Sequence, residues 1–313
     1  METDLRPDPA IVFPGMGPSD FDGVARFLLI NPVARRLLAD ADEVLGYSLF
    51  DSYREAKGDY TEHAQVAFLV VCLALAEWSA DRFGVQPAVC AGTSFGGKVA
   101  AAYSGALTFE DAVSMTSLLA RGLDEFAGRE CRDLVTQSFA RTPQDVLRRV
   151  LDELEEQGEW YDISCRVDHD FSMVTLREDR LEWFKERLRA HGGLPLYPMR
   201  PPMHTRALAP LRDLMEKEVL AGLRFADPRI PVVADQDGAV LTTGDDVRTM
   251  LLDGFVRPVC WPDVLATFKR LNVGTLYISG PDRLFGRVEC ATRDFEIVPI
   301  DPRAALRPRR AVA

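Results

Sequence analysis

Apolar positions fall into two rhythms along this chain, and the alternation between them predicts its elements. Residues 10–14 (AIVFP) form a continuous apolar run closed by the turn Gly15-Met16-Gly17-Pro18, the pattern of a short buried strand. A long helical stretch is predicted over 21–45, then an apolar helix over 64–83. A second buried strand is predicted at 87–91 (PAVCA). It runs into Gly92-Thr93-Ser94-Phe95-Gly96-Gly97 and a helix continuing through 98–103, with another helix over 109–126. Strand, glycine turn and helix in that order predict an α/β layer around a buried parallel sheet.

The rhythm changes between residues 130 and 200. A strand at 134–139 precedes a helix over 143–156, where Pro143 suits a first turn and Val146, Leu147, Val150, Leu151 and Leu154 make an apolar stripe. Strands at 161–167 and 172–176 turn at Asp168-His169-Asp170. A helix over 179–190 ends at Gly192-Gly193, and a last strand covers 194–197. The order β-α-β-β-α-β is the ferredoxin-like unit. After residue 204 the α/β pattern returns, with strands at 230–234 and 275–278 and helices near 245–254 and 261–271. The expected fold is therefore α/β. An α/β-hydrolase-like large subdomain with a parallel sheet (1–128 and 201–313) carries an inserted ferredoxin-like small subdomain (129–200). Residues 304–313 are arginine-rich and show no periodicity.

Composition narrows the function classes. With 313 residues, 47% hydrophobic and 27% charged, the chain is long enough for one large core plus a satellite. A net charge of −11 argues against nucleic acid as the main partner, because phosphate binding needs basic surface. The apolar run 64–78 is too short to span a bilayer and is interrupted by Gln65 and Glu77. Residues 1–10 lack a signal-peptide core, so a cytoplasmic protein without a membrane partner is expected. Cys72, Cys90, Cys131, Cys165, Cys260 and Cys290 show no paired ligand spacing, and His63, His169, His191 and His204 show no zinc pattern. Reduced buried thiols, no metal and no bound cofactor are expected.

The strongest local signal is Gly92-x-Ser94-x-Gly96 between strand and helix. A serine on such an elbow is held clear of the sheet, its flanking glycines let backbone and substrate approach, and the helix N-terminus favours a developing oxyanion. The competing reading is a small-residue turn packed on a helix. A nucleophilic serine needs a base. His204, in Pro202-Met203-His204-Thr205 where the inserted unit rejoins the large one, is the candidate; the other three histidines have structural settings.

These motifs resemble the malonyl-CoA:acyl-carrier-protein transacylases and the acyltransferase domains of polyketide synthases. Val12-Phe13-Pro14-Gly15-Met16-Gly17 resembles that family's FPGQG, and Gly92–Gly97 its GHSxGE, continuing into AAYSGALTFEDAV at 101–113. Pro202–Thr205 falls at its histidine, 110 residues after the serine. Phe255–Trp261 resembles its PVxW segment, and Ser279-Gly280-Pro281 its GPG. The resemblance implies a Ser94 nucleophile and a His204 base. It also implies an acyl-serine intermediate in a ping-pong reaction, an oxyanion hole from the Met16 and Phe95 amides, and a carbonyl near Gly254 orienting the histidine. Gln65 resembles a pocket glutamine.

The departures carry the substrate information. Malonyl-type members hold the substrate carboxylate with an arginine 25 residues after the serine; here that place is Leu119. Arg121 lies two residues on, about 200° around a helix. Thr93 replaces the family histidine, Gly97 the glutamate, and Met203 precedes the base. A larger, more apolar pocket lined by Leu119, Met203, Thr93 and Gln65 is expected, for an acyl group without a carboxylate. This pattern is similar to the vicenistatin-type discrete, trans-acting acyltransferases of macrolactam antibiotic biosynthesis. It implies an aminoacyl or dipeptidyl group moved between two acyl-carrier proteins. Acidic carriers need basic docking residues; the candidates are Arg148, Arg149, Arg206, Arg257 and Arg303, with Arg307, Arg309 and Arg310 in the tail. Three alternatives stay open: an acyl-carrier hydrolase, a malonyl-CoA enzyme, and a non-catalytic carrier-binding module.

Overall fold

The computed structural model describes residues 8–18 and 20–307. Strand β1 (Asp8–Phe13) is followed by α1 (Phe21–Ile30) and α2 (Pro32–Leu45). The sequence pattern predicts one helix here, but the chain breaks at Asn31. The Asn31 side chain accepts from the amides of Val33 and Ala34, and Pro32 takes the first helical position, so the cap starts a new helix. A short α3 (Leu49–Glu55), too brief for a periodic signal, precedes α4 (Glu62–Phe83). Helix α4 is apolar on all sides because it is enclosed by α2, α3 and, further on, α6 (Phe109–Glu130). Length and composition alone would let α4 cross a membrane, yet 72% of that window is buried inside the fold. Between α4 and α6 lie β2 (Val89–Gly92) and α5 (Gly96–Tyr103).

The next six elements are β3 (Leu134–Ala140), α7 (Gln144–Glu156), β4 (Tyr161–Asp168), β5 (Phe171–Arg177), α8 (Leu181–Ala190) and β6 (Leu194–Met199). Their strands run β6-β3-β5-β4 with every neighbour antiparallel, the ferredoxin-like arrangement. Helices α7 and α8 cover one face through a core that includes Phe139, Leu147, Val150 and Phe184.

The chain then supplies α9 (Ala209–Glu218), β7 (Val232–Val233), β8 (Val240–Leu241), α10 (Gly244–Asp253), β9 (Val259–Cys260), α11 (Trp261–Arg270), β10 (Val273–Ser279), α12 (Glu289–Thr292), β11 (Glu296–Ile300) and α13 (Pro302–Ala305). The large sheet has the order β11-β10-β1-β2-β7-β8, parallel throughout except for the β7–β8 pair. One element crosses the boundary drawn from sequence. Strand β9 pairs parallel with β4 and becomes the fifth strand of the small sheet. A two-residue strand carries no period, so sequence pattern alone could not assign it. The strand expected at 230–234 is likewise only two residues long, since it ends at the turn that leads into its antiparallel partner β8. Of the aperiodic tail, α13 orders its first part; Arg309 and Arg310 lie outside the described residues.

Candidate active site

β1 and β2 are adjacent and parallel, and their C-terminal ends meet the start of α5. There the chain turns through Thr93 and Ser94, with Ser94 in the left-handed region at φ +54°. Any side chain on the flanking glycines is excluded. A Cβ on Gly92 would lie 1.9 Å from the Gly96 carbonyl oxygen, and one on Gly96 would lie 2.0 Å from that of Phe13. The Thr93 amide donates to the Phe13 carbonyl (3.0 Å) and its hydroxyl accepts from the Gly15 amide (2.9 Å). Thr93 is fully buried and ties the elbow to the turn after β1, so the expectation that it lines the acyl pocket is corrected. A hydroxyl satisfied by the neighbouring turn does not face the cleft.

His204 also has a left-handed backbone, φ +57°, and its Nε2 lies 2.8 Å from Ser94 Oγ. A non-glycine residue in this region is uncommon, and both members of the pair adopt it. The surrounding loop is over-determined. Thr205 donates its amide to the Phe255 carbonyl at 3.0 Å. Asp162 of β4 accepts from the Thr205 hydroxyl (2.8 Å), the Arg206 amide (2.7 Å) and Arg206 Nε (2.7 Å). A small-domain carboxylate therefore fixes the histidine loop. Burial pushes the imidazole down from 6.5 to about 4, opposed by the Gly254 and Arg257 carbonyls. Neither carbonyl closes a hydrogen bond to Nδ1, which is buried without a partner. Gly254 thus lies beside the ring.

Sequence reasoning passed over Asp235. It follows β7, next to the nucleophile strand, and its Oδ2 accepts the Ser94 amide hydrogen at 2.6 Å. Burial raises its carboxyl from 3.8 to about 7, against the lowering effect of that bond. The available signal was positional: a carboxylate just past the C-terminal end of a strand in a parallel sheet.

The pair opens into a cleft of about 550 Å³ between the large body and the exposed face of β5 and β6. Met16 and Phe95 border it at the serine, and Leu119, Met203 and Gln65 are among its lining residues. Leu119 is 4% exposed, whereas Arg121 points outward and pairs with Glu62 at 3.8 Å. Two cations reach the cleft that the sequence reading did not place there. Arg283 pairs with Asp20 at 2.9 Å, and Lys98 lies in the first turn of α5. The sign for Lys98 was a lone charge in the run GGKVAAAY, one turn after the serine.

The basic docking candidates do not form one cluster. Arg206 pairs with Asp162, and Arg257 pairs with Asp237 (2.7 Å) and Asp253 (3.0 Å), so both are committed to holding loops beside His204. Arg148 and Arg149 are exposed on α7 of the small domain, Arg149 with Asp145 at 3.0 Å. Arg303 is exposed on α13, which packs against α1 and α4 of the large body.

Comparison with known proteins bears on this site. The family profile described as the VinK acyltransferase small domain matches residues 138–199. The malonyl CoA-acyl carrier protein transacylase of Bacillus subtilis is 26% identical over 303 residues, covering 94% of this chain and 93% of that protein. The Escherichia coli (strain K12) enzyme of the same name is 26% identical over 88% of this chain and 89% of its own. Among solved structures, a malonyl-transacylase in complex with its type II polyketide synthase acyl-carrier protein superposes with a TM-score of 0.85. It is 23% identical, over 96% of this chain and 97% of that one, a likeness of fold. Sequence similarity along nearly the whole chain makes this protein similar to the malonyl CoA-acyl carrier protein transacylases, and it shares their fold.

Proposed function

We propose that this protein is an acyltransferase that moves an acyl group lacking a carboxylate, of aminoacyl or dipeptidyl type, between the phosphopantetheine thiols of two acyl-carrier proteins. The observation that carries this reading is the 2.8 Å contact between Ser94 Oγ and His204 Nε2 at the base of an open, largely apolar cleft. Neutral His204 takes the Ser94 proton as Oγ attacks the donor thioester carbonyl. The tetrahedral oxyanion is received by the Met16 and Phe95 amides, and collapse expels the donor thiol, which takes the proton back from His204. A second carrier thiol then gives its proton to His204 and attacks the acyl-serine ester, releasing Ser94 Oγ with that proton.

The substrate class rests on Leu119, which presents no donor to a carboxylate. A malonate carboxylate beside Leu119 would lack the bidentate guanidinium partner that an arginine at that position supplies. The carrier assignment rests on the relatives, whose names state that they act on acyl carrier proteins. Arg148, Arg149 and Arg303 remain exposed for docking. A malonyl-CoA reading is favoured by those same relatives and is separated by malonyl loading of the wild type and of Leu119→Arg. The test of the transfer reaction is acyl-carrier turnover with and without a second carrier. Transfer that requires the second thiol supports the proposal, and acid release at equal rates in both reactions supports a hydrolase instead.

A further inference from the structure

Lys98 is four residues beyond Ser94, borders the same cleft and forms no ion pair with a carboxylate among the described residues. Its ammonium approaches the Phe95 ring at 4.7 Å and Gln65 Oε1 at 3.3 Å. Gln65 cannot turn that amide around freely, because its Nε2 donates to the Tyr60 carbonyl at 2.9 Å. The orientation leaves the Gln65 oxygen on Lys98 and the remaining ammonium hydrogens without an acceptor among the described residues. An ammonium carries three donors, and those of the partly buried Lys98 that Gln65 does not engage are left to solvent or to a bound chain. Burial pushes this amine down from 10.5 to about 8. Leu119 and Leu123 from α6 line the same cleft.

We propose that Lys98 is a specificity-determining residue whose ammonium donates a hydrogen bond to an oxygen acceptor carried by the acyl chain, about one helical turn from the ester on Ser94. This inference rests on the acyl-serine reading above and deepens it. A purely alkyl chain leaves the Lys98 donors unmet. A chain with a free ammonium at that depth places like charges together in a poorly solvated cleft. A chain with an amide carbonyl there satisfies Lys98, so of the two acyl types the dipeptidyl one fits and the simple aminoacyl one does not.

The test compares carriers loaded with four chains of matched length: one with a mid-chain amide, an all-carbon chain, one ending in a free amine and one ending in a carboxylate. Single-turnover acylation of the full-length protein is followed for the wild type, Lys98→Met and Lys98→Gln. The wild type is expected to load the amide chain about 10-fold faster than the all-carbon chain. In Lys98→Met that ratio falls to within about 3-fold, and Lys98→Gln, which keeps a shorter donor, is intermediate. A wild-type ratio near one, an unchanged ratio in Lys98→Met, or preferred loading of the free amine overturns the assignment. A carboxylate chain preferred by the wild type and not by Lys98→Met keeps Lys98 as the donor and overturns the uncarboxylated reading. Failure of the wild type to load any chain overturns the acyl-serine reading and this inference with it.

Discussion

Burial sets the protonation of both titratable groups that touch Ser94, and it acts on them in opposite directions. The His204 imidazole, held down at about 4, stays neutral and able to take a proton well into acid. The first half-reaction, acyl loading of Ser94, should therefore keep its kcat/KM flat from pH 8 to near 5 and fall only below that. A half-loss at the ordinary histidine value of 6.5 would contradict it. Asp235 is the reverse case, a carboxyl raised from 3.8 to about 7, so the fold favours its neutral form. The cost of ionising it in the fold is absent below the unfolded value and grows as pH rises toward 7. Asp235→Asn keeps an acceptor for the Ser94 amide and removes the charge. Its Tm should gain on the wild type as pH climbs from 4 to about 7, and a difference independent of pH would exclude this effect. Sequence made these residues unequally legible. Ser94 announces itself through flanking glycines whose absence of a side chain is sterically required. His204 was recognisable from the resemblance, not from its own surroundings. Asp235 and Lys98 were passed over because a lone Asp or Lys has no pattern, and Thr93 was misplaced because its partner, the Gly15 amide, is 78 residues away.

Elements are positioned here by a few long-range polar ties, and the one through Asp162 matters most. It holds Thr205 and Arg206, hence the histidine loop, from the small sheet. Asp162→Ala should slow acylation of Ser94 by about 100-fold, since a misplaced base loses most of its orientation advantage. The signature separating this from simple unfolding is an unchanged far-UV spectrum at assay temperature with a lowered kcat. The elbow makes a sharper demand. Gly92→Ala sets a methyl 1.9 Å from the Gly96 carbonyl and should cost about 3 kcal/mol or more, read as lost denaturant resistance. The strands and helices with a clear period were legible, including all six of the small domain. What escaped was set by caps and pairing: the break at Asn31, and β9 joining the small sheet through two residues. Neither leaves a hydrophobic rhythm.

The whole molecule places a reactive pair where two subdomains face each other, with one acyl-sized cleft between them and a net charge of −11. The α/β architecture with its ferredoxin-like insert was legible from the order of elements, and the solved relatives share it over nearly their full length. The charge of a carrier-docking face was not, because ion pairs with Asp162, Asp237 and Asp253 engage two of the arginines that sequence offered. The exposed α7 pair remains. Reversing both, Arg148→Glu with Arg149→Glu, should raise KM for an acyl-carrier about 10-fold and leave loading from a small acyl thioester unaffected, a difference of rim electrostatics. The decisive observation is the intact mass of the protein after brief exposure to an acyl-carrier. Wild type should gain one acyl group, located on Ser94 and discharged by a second carrier thiol, while Ser94→Ala gains nothing. Acyl transfer that persists in Ser94→Ala, or an adduct found on another residue, would contradict the acyl-serine route.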